Sequence, residues 1–231
     1  MKLERDKMIT GKRSLSDYLF FFDFDNTITH FDVFDDIVKR FSVDKEWIAW
    51  ERAWKEGKIG SKKCLIEQLK SVRITRKGLS DYLSKIKVDR YFLKLISAFK
   101  KQGINPVILS DSFSLFIESV LRHNRIKGIK LYSNKLRLVG DRLIPSFPLQ
   151  GDETCLLCAH CKKKTLLDNA IDGKIITYIG DGRSDICPSI FADLVFAKGN
   201  LAKELRRIKK DCIPINDLRD VRDYFKRIIP C

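Results

Sequence analysis

Asp23 and Asp25 close an aromatic apolar run, Tyr18-Leu-Phe-Phe-Phe-Asp23-Phe-Asp25-Asn-Thr27. Strand side chains alternate between faces, so two carboxylates spaced two apart converge on one site as the strand ends. Such a pair repels an anionic substrate. A phosphate dianion about 4 Å from one carboxylate is opposed by roughly 8 kcal/mol at an effective dielectric of about 20. A cation has to offset this, and for hard oxygen donors beside phosphate the natural one is Mg²⁺.

Other segments end in residues of complementary type. An apolar strand over 106–109 runs into Ser110-Asp111-Ser112 and then a helix, where a hydroxyl and the N–H groups of a helix start can bind phosphate oxygens. A second apolar strand, 175–179, runs into Gly180-Asp181-Gly182-Arg183-Ser184-Asp185. Its glycines permit a sharp turn, and Asp181 and Asp185 are placed to hold a cation. Lys162 opens a helix and can supply a point positive charge. Singly, each has a bland reading: Asp-x-Asp as a solvated turn, Ser as a helix N-cap, Lys162 beside Lys163 and Lys164 as a solvated face, Gly-Asp-Gly as a turn. Jointly, they make a phosphoryl-transfer site with a nucleophilic carboxylate, a proton-transferring carboxylate, a metal and phosphate clamps.

These residues need a scaffold that brings distant segments together. Residues 32–87 read as helical throughout, with Val33, Ile37, Val38 and Phe41, then Trp47, Trp50, Ala53 and Trp54, then Leu65, Ile66 and Leu69 at helical spacing, and Gly57, Gly60 and Gly78 as punctuation. This predicts a compact all-α insertion after one strand. From Asp89 helices and strands alternate, interrupted by a hairpin around Gly140-Asp141. Such alternation predicts an α/β fold, a mostly parallel sheet with helices on both faces, whose chemistry gathers at the carboxyl ends of the strands.

The 231 residues fit one large domain or a core with an insertion, and 44% hydrophobic content with 15 Phe supplies a core. No apolar run is long enough to cross a bilayer, and residues 1–16, rich in Lys and Arg, lack an apolar secretory core; they read as a solvated extension of a cytosolic protein. The net charge of +15 arises from 45 basic and 30 acidic residues scattered over many elements. Without basic residues interleaved with aromatics, the charge fits small phosphorylated substrates better than nucleic acid. Seven cysteines cannot all pair internally. Cys155, Cys158, His160 and Cys161 form a conceivable zinc set, but the adjacent His160 and Cys161 are hard to aim at one tetrahedral ion, so thiols are the expectation.

The motifs resemble those of the haloacid dehalogenase (HAD) superfamily of phosphatases over residues 20–191: Phe22-Asp23-Phe24-Asp25-Asn26-Thr27-Ile28, Ile108-Leu109-Ser110, Lys162, and Tyr178-Ile179-Gly180-Asp181-Gly182-Arg183-Ser184-Asp185. The resemblance implies a Rossmann-like core (17–31 and 88–231) carrying a small helical cap (32–87). It implies that Asp23 forms an aspartyl-phosphate and that Asp25 acts as general acid and base. Mg²⁺ would be held by Asp23, the Asp25 carbonyl and Asp181 with Asp185 in support, and Thr27, Ser110 and Lys162 would bind phosphate. Ser110-Asp111-Ser112 with Phe116-Ile117-Glu118, Tyr132-Ser133-Asn134, the cysteine segment before Lys162, and Asp185-Ile186-Cys187-Pro188 resemble the branch of phosphocholine/phosphoethanolamine, pyridoxal phosphate and methionine-salvage enolase-phosphate phosphatases. Phosphoserine phosphatases are less similar, because Asp32 and Ile66 stand where their caps pair a glutamate with an arginine. His30 and Asp32, directly after the first motif, are candidate substrate contacts, although Asp32 also reads as a helix N-cap. The expected activity is Mg²⁺-dependent hydrolysis of a small phosphomonoester. The alternatives are a nucleic-acid-binding protein on an inactive HAD fold and a phosphomutase.

Overall fold

The computed structural model describes residues 14–149 and 158–226. Seven strands form one sheet in the order β4-β3-β2-β1-β5-β6-β7, parallel except for the β3–β4 hairpin. They are β1 (Tyr18–Phe22), β2 (Val107–Phe113), β3 (Lys130–Val139), β4 (Arg142–Ser146), β5 (Ile175–Gly180), β6 (Leu194–Ala197) and β7 (Ile213–Pro214). Helices α1 (Val33–Phe41), α2 (Trp47–Lys55), α3 (Ser61–Ser71) and α4 (Arg76–Leu83) follow β1, and α5 (Arg90–Lys101) leads to β2. The rest are α6 (Ser114–His123), α7 (Lys162–Asp168), α8 (Ile186–Phe191), α9 (Gly199–Arg207) and α10 (Leu218–Phe225). The α/β class expected from the alternation is the observed one.

β1 lies mid-sheet and is covered on both faces, which is why its sequence is a continuous apolar run rather than an alternating one. Phe20 stacks on Phe99 with centroids 4.4 Å apart, and Phe22 meets Phe92 edge-on at 5.4 Å. On the opposite face Phe21 packs among Leu109, Tyr178 and Leu201. Phe22 is in register with both Ile108 and Ile179. The strand order reverses at β1, so the residues just past Phe22, Ile108 and Ile179 surround a crevice at the sheet's topological switch point.

The helical segment leaves and rejoins the core at one place: Thr29 and Val88 form an antiparallel bridge, and Asp89 N donates to Ile28 O at 2.8 Å. It has no separate core. Val33, Phe34, Ile37, Leu79 and Leu83 belong to the same buried cluster as Phe22 and Phe92. The hairpin also reaches it: Gly140 takes the positive φ of 61° that the tight turn needs, and Ile74 N donates to Asp141 O at 2.9 Å.

Three local expectations change. Gly78 lies inside α4, whose N-cap Thr75 accepts its N–H at 3.1 Å, so it punctuates nothing. β2 does not stop at Leu109. It resumes pairing at Phe113 after a register break, because the Asn134 side chain donates to Asp111 O at 2.7 Å and Ser112 N to Ser110 Oγ at 3.1 Å. Residues 1–16 are not wholly a solvated extension, since Leu15 is fully buried in a 3₁₀ turn; residues 1–13 lie outside the described set. Among the described residues, no helix is long and apolar enough to cross a membrane.

The aromatic stack at β1 supplies a stability test. Phe99→Ala is expected to cost about 3–5 kcal/mol in urea unfolding, because ring burial is lost and the cavity cannot collapse against Phe20 and Phe22. A cost below about 1 kcal/mol would show that the stack is not what holds α5 to the sheet.

Candidate active site

Asp23 follows β1 directly, and its N–H donates to Ile179 O at 2.8 Å, which continues the ladder one residue and fixes where the carboxylate emerges. Lys162, at the first position of α7, is 1% exposed, unlike the exposed Lys164 two residues on. Its Nζ donates to Asp23 Oδ1 at 2.5 Å and to Asp185 Oδ1 at 2.6 Å. A buried ammonium is tolerable only when paired in this way. Burial works against its charge, but Asp185 and Asp23 outweigh that and hold its pKa well above the ordinary lysine value.

Asp185 is fully buried and its acceptors are engaged by the protein. Oδ1 also takes the Tyr178 hydroxyl at 2.6 Å, and Oδ2 takes the N–H groups of Asp181 and Gly182, both at 3.0 Å. It is thus a brace that shapes the turn carrying Asp181. Gly180 is required there, since a Cβ would lie 2.6 Å from Asp185 Cγ.

Asp23, Asp181 and Asp185 each present an oxygen within 4.8 Å of the others, the one such group of potential metal ligands among the described residues. Burial, then Asp185, pushes the Asp23 carboxyl up to about 7 despite Lys162; burial, then Asp23 and Asp185, pushes Asp181 up to about 8. Asp25 is raised by burial, Asp32 and Asp23, and its Oδ1 accepts the Val33 N–H at 2.8 Å. The Asp25 carboxylate stands outside the three-acid group.

A cavity of about 480 Å³ opens over these acids, between the strand ends and the helical segment. Asp23, Asp25, Ser110 and Asp181 form its floor, and Glu51, Trp54, Cys64 and Gln68 line it from α2 and α3. Asp32 caps α1 by accepting the Asp35 N–H at 2.8 Å and also lines the cavity; burial, then Asp35, pushes it up to about 7. His30 is not a cavity residue: the turn after Phe24, held by Thr29 Oγ1 donating to Phe31 O at 2.7 Å, leaves it exposed. Thr27 is buried beside Asp181, 3.5 Å from its Oδ1, and does not line the cavity, which removes the expected phosphate contact. Nor does Ile66 line it; α3 turns Ser61, Cys64, Leu65 and Gln68 inward instead.

Sequence reasoning passed over Tyr178, Asp111 and Arg183 as site residues. Tyr178 reads as one more apolar strand position, and only its burial on a charged neighbour reveals the hydroxyl's role. Asp111 is raised by burial and accepts the His160 N–H at 2.6 Å. Of the conceivable zinc set, Cys155 lies outside the described residues. His160 spends Nε2 on Thr165 Oγ1 at 3.0 Å.

The matched family model, described as "Putative Phosphatase", covers residues 18–207. The chain belongs to this family. Its relatives include a 2-hydroxy-3-keto-5-methylthiopentenyl-1-phosphate phosphatase of Brevibacillus brevis, 26% identical over 82% of this chain and 86% of that one. A HAD family hydrolase of Salmonella enterica serovar Typhi shares the fold with a TM-score of 0.71 at 18% identity, over 92% of this chain and 71% of that one. A phosphoserine phosphatase solved as a phospho-aspartyl intermediate analogue aligns with a TM-score of 0.67 at 20% identity, over 90% and 98%. The fold is that of a HAD family hydrolase, and the family match agrees with the phosphatase that the motifs suggest.

His160 gives the site a measurable pH signature. Burial, then Lys162, lowers its imidazole to about 4 from 6.5, and Nδ1 has no partner among the described residues. The unfolded chain therefore takes up this proton more readily, and stability falls as pH drops from 6.5 towards 4, by about 3 kcal/mol in all. The raised acids act in the opposite sense but are common to His160→Gln. The wild type should thus lose stability relative to His160→Gln across that window in urea unfolding, and parallel pH profiles would refute the buried neutral imidazole.

Proposed function

We propose that the chain hydrolyses a small soluble phosphomonoester with Mg²⁺, Asp23 acting as nucleophile and Asp25 as general acid and base. The observation that carries this reading is the buried ammonium of Lys162 between Asp23 and Asp185, with Asp181 alongside, at the aligned ends of β1 and β5. An all-oxygen set of three acids, two of them pushed up to about 7 and 8, is under-neutralised by one ammonium and fits a hard divalent cation. Asp23, Asp181 and the Asp25 carbonyl would hold it, with Asp185 behind. A bound Mg²⁺ supplies positive charge to the phosphoryl oxygens and relieves their repulsion from Asp23.

Lys162 fixes the rotation of the Asp23 carboxylate and offers its charge to the phosphoryl group. The Ser110 hydroxyl, on the cavity floor, is placed to donate to a second phosphoryl oxygen. An Asp23 oxygen bonds to phosphorus as the bond from phosphorus to the alcohol oxygen breaks, leaving an aspartyl-phosphate. Asp25, its pKa raised by burial, gives its proton to the departing oxygen and then takes one from the water that splits the aspartyl-phosphate. Thr27 braces Asp181 in this scheme. A metabolite phosphomonoester of the size handled by the methylthiopentenyl-phosphate phosphatases is the substrate class that the cavity supports, in a cytosolic setting.

Asp23→Asn should lower turnover of p-nitrophenyl phosphate by about 10³-fold or more while the variant still folds, as circular dichroism checks. Residual turnover near the wild-type rate would reassign the nucleophile. EDTA should silence the enzyme and Mg²⁺ restore it, whereas full activity in chelator would remove the cation from the scheme.

A further inference from the structure

α2 is the one α-helix among the described residues with no buried residue. It packs chiefly on α3, through the Trp54 indole N–H donating to Ser61 Oγ at 3.1 Å and the Cys64 thiol to Trp50 O at 3.5 Å. Yet it supplies Glu51, Trp54 and Lys55 to the cavity wall. The last carbonyls of a helix have no N–H of the next turn to meet and carry the negative end of its dipole. Here Gly57 N–H already meets Trp54 O at 2.9 Å, and a side chain of the core adds a second donor to it and one to Lys55 O. Arg183 Nη1 donates to Trp54 O at 3.1 Å and to Lys55 O at 3.0 Å, and the guanidinium lies over the Trp54 ring, 5.4 Å from its centroid. Arg183 sits in the turn between Asp181 and Asp185, so the segment that carries the acids is also the one that grips the helix.

We propose that Arg183 is a positioning residue that fastens α2 across the cavity and makes the acid-bearing turn and the wall facing the leaving group one mechanical unit. Trp47 packs against the main core although no residue of α2 is buried, and the forked, charged donor set suits two adjacent carbonyls and an aromatic face together, as a lysine does not. Only the kinetic consequence rests on the phosphatase reading; the tether does not.

The chain has three tryptophans, Trp47, Trp50 and Trp54, and all lie on α2. Tryptophan fluorescence, excited selectively at the red edge where tyrosine does not absorb, therefore reports that helix alone. In a Trp54→Phe background, which leaves Trp47 and Trp50 as reporters away from the guanidinium, Arg183→Ala should raise the acrylamide quenching constant about twofold, as local opening becomes easier. In the otherwise native chain it should lower kcat/KM for p-nitrophenyl phosphate about tenfold, the scale set by lost hydrogen bonds to a charged donor. The thermal midpoint should hold, and Arg183→Lys should fall between. Unchanged quenching of Trp47 and Trp50 would overturn the proposal, and a raised KM with unchanged quenching would assign Arg183 to the substrate instead. If the alanine variant fails to fold, the lysine variant decides by the same quenching measurement. A wild type without phosphatase activity would defeat the functional reading, while the quenching comparison would still decide the tether.

Discussion

A single ammonium buried between two carboxylates organises this molecule. Lys162 reaches Asp23 from one side and Asp185 from the other, and each carboxylate passes the constraint on: Asp23 to the end of β1, Asp185 to Tyr178 and to the amides of Asp181 and Gly182. Removing any partner would strand charge in a medium that solvates it poorly. One cation faces three acids, and burial, then the neighbouring carboxylates, raises Asp23 and Asp181. In the proposed reading, a divalent ion arriving with a phosphorylated ligand would supply the further positive charge.

Register explains how residues so distant in sequence meet. Because Phe22 stands level with Ile108 and Ile179, Asp23, Ser110 and Asp181 emerge within one or two residues of the same edge. The aromatic faces of β1 pin this register from both sides, since a slip of one residue would exchange Phe21 with Phe20 and Phe22 between two differently shaped cores. Catalytic geometry and core packing are therefore satisfied by the same alignment.

The floor of the site was legible in the sequence because its residues follow strand ends in a fixed order, and strand ends are what apolar runs reveal best. Asp23, Asp25, Ser110, Lys162, Asp181 and Asp185 all gather there or immediately behind it. The walls were less legible. Thr27 and His30 lie in a turn whose path depends on Thr29 and on the bridge to Val88, and no local pattern encodes that. Glu51, Trp54 and Gln68 were visible only as helical residues, because periodicity tells which residues share a face but not what that face meets. Arg183 belongs to a recognisable glycine turn, while its contact with α2 joins residues with no shared signal. The helical segment read as a separate unit because composition changes at its ends; its merging with the main core becomes plain only once Phe34 meets Phe113.

The continuous apolarity of β1 has a consequence for biogenesis. Tyr18–Phe22 is made early, but its neighbours on either side, Val107–Ile108 and Ile175–Ile179, are synthesised much later. Until they arrive, a short aromatic segment of high strand propensity lacks both lateral partners and both covering layers, the profile of a sequence prone to self-association. Flanking charge in Asp17, Asp23 and Asp25 offers the nascent chain some protection. The acids that later surround a phosphoryl group would first serve as guards against misassembly.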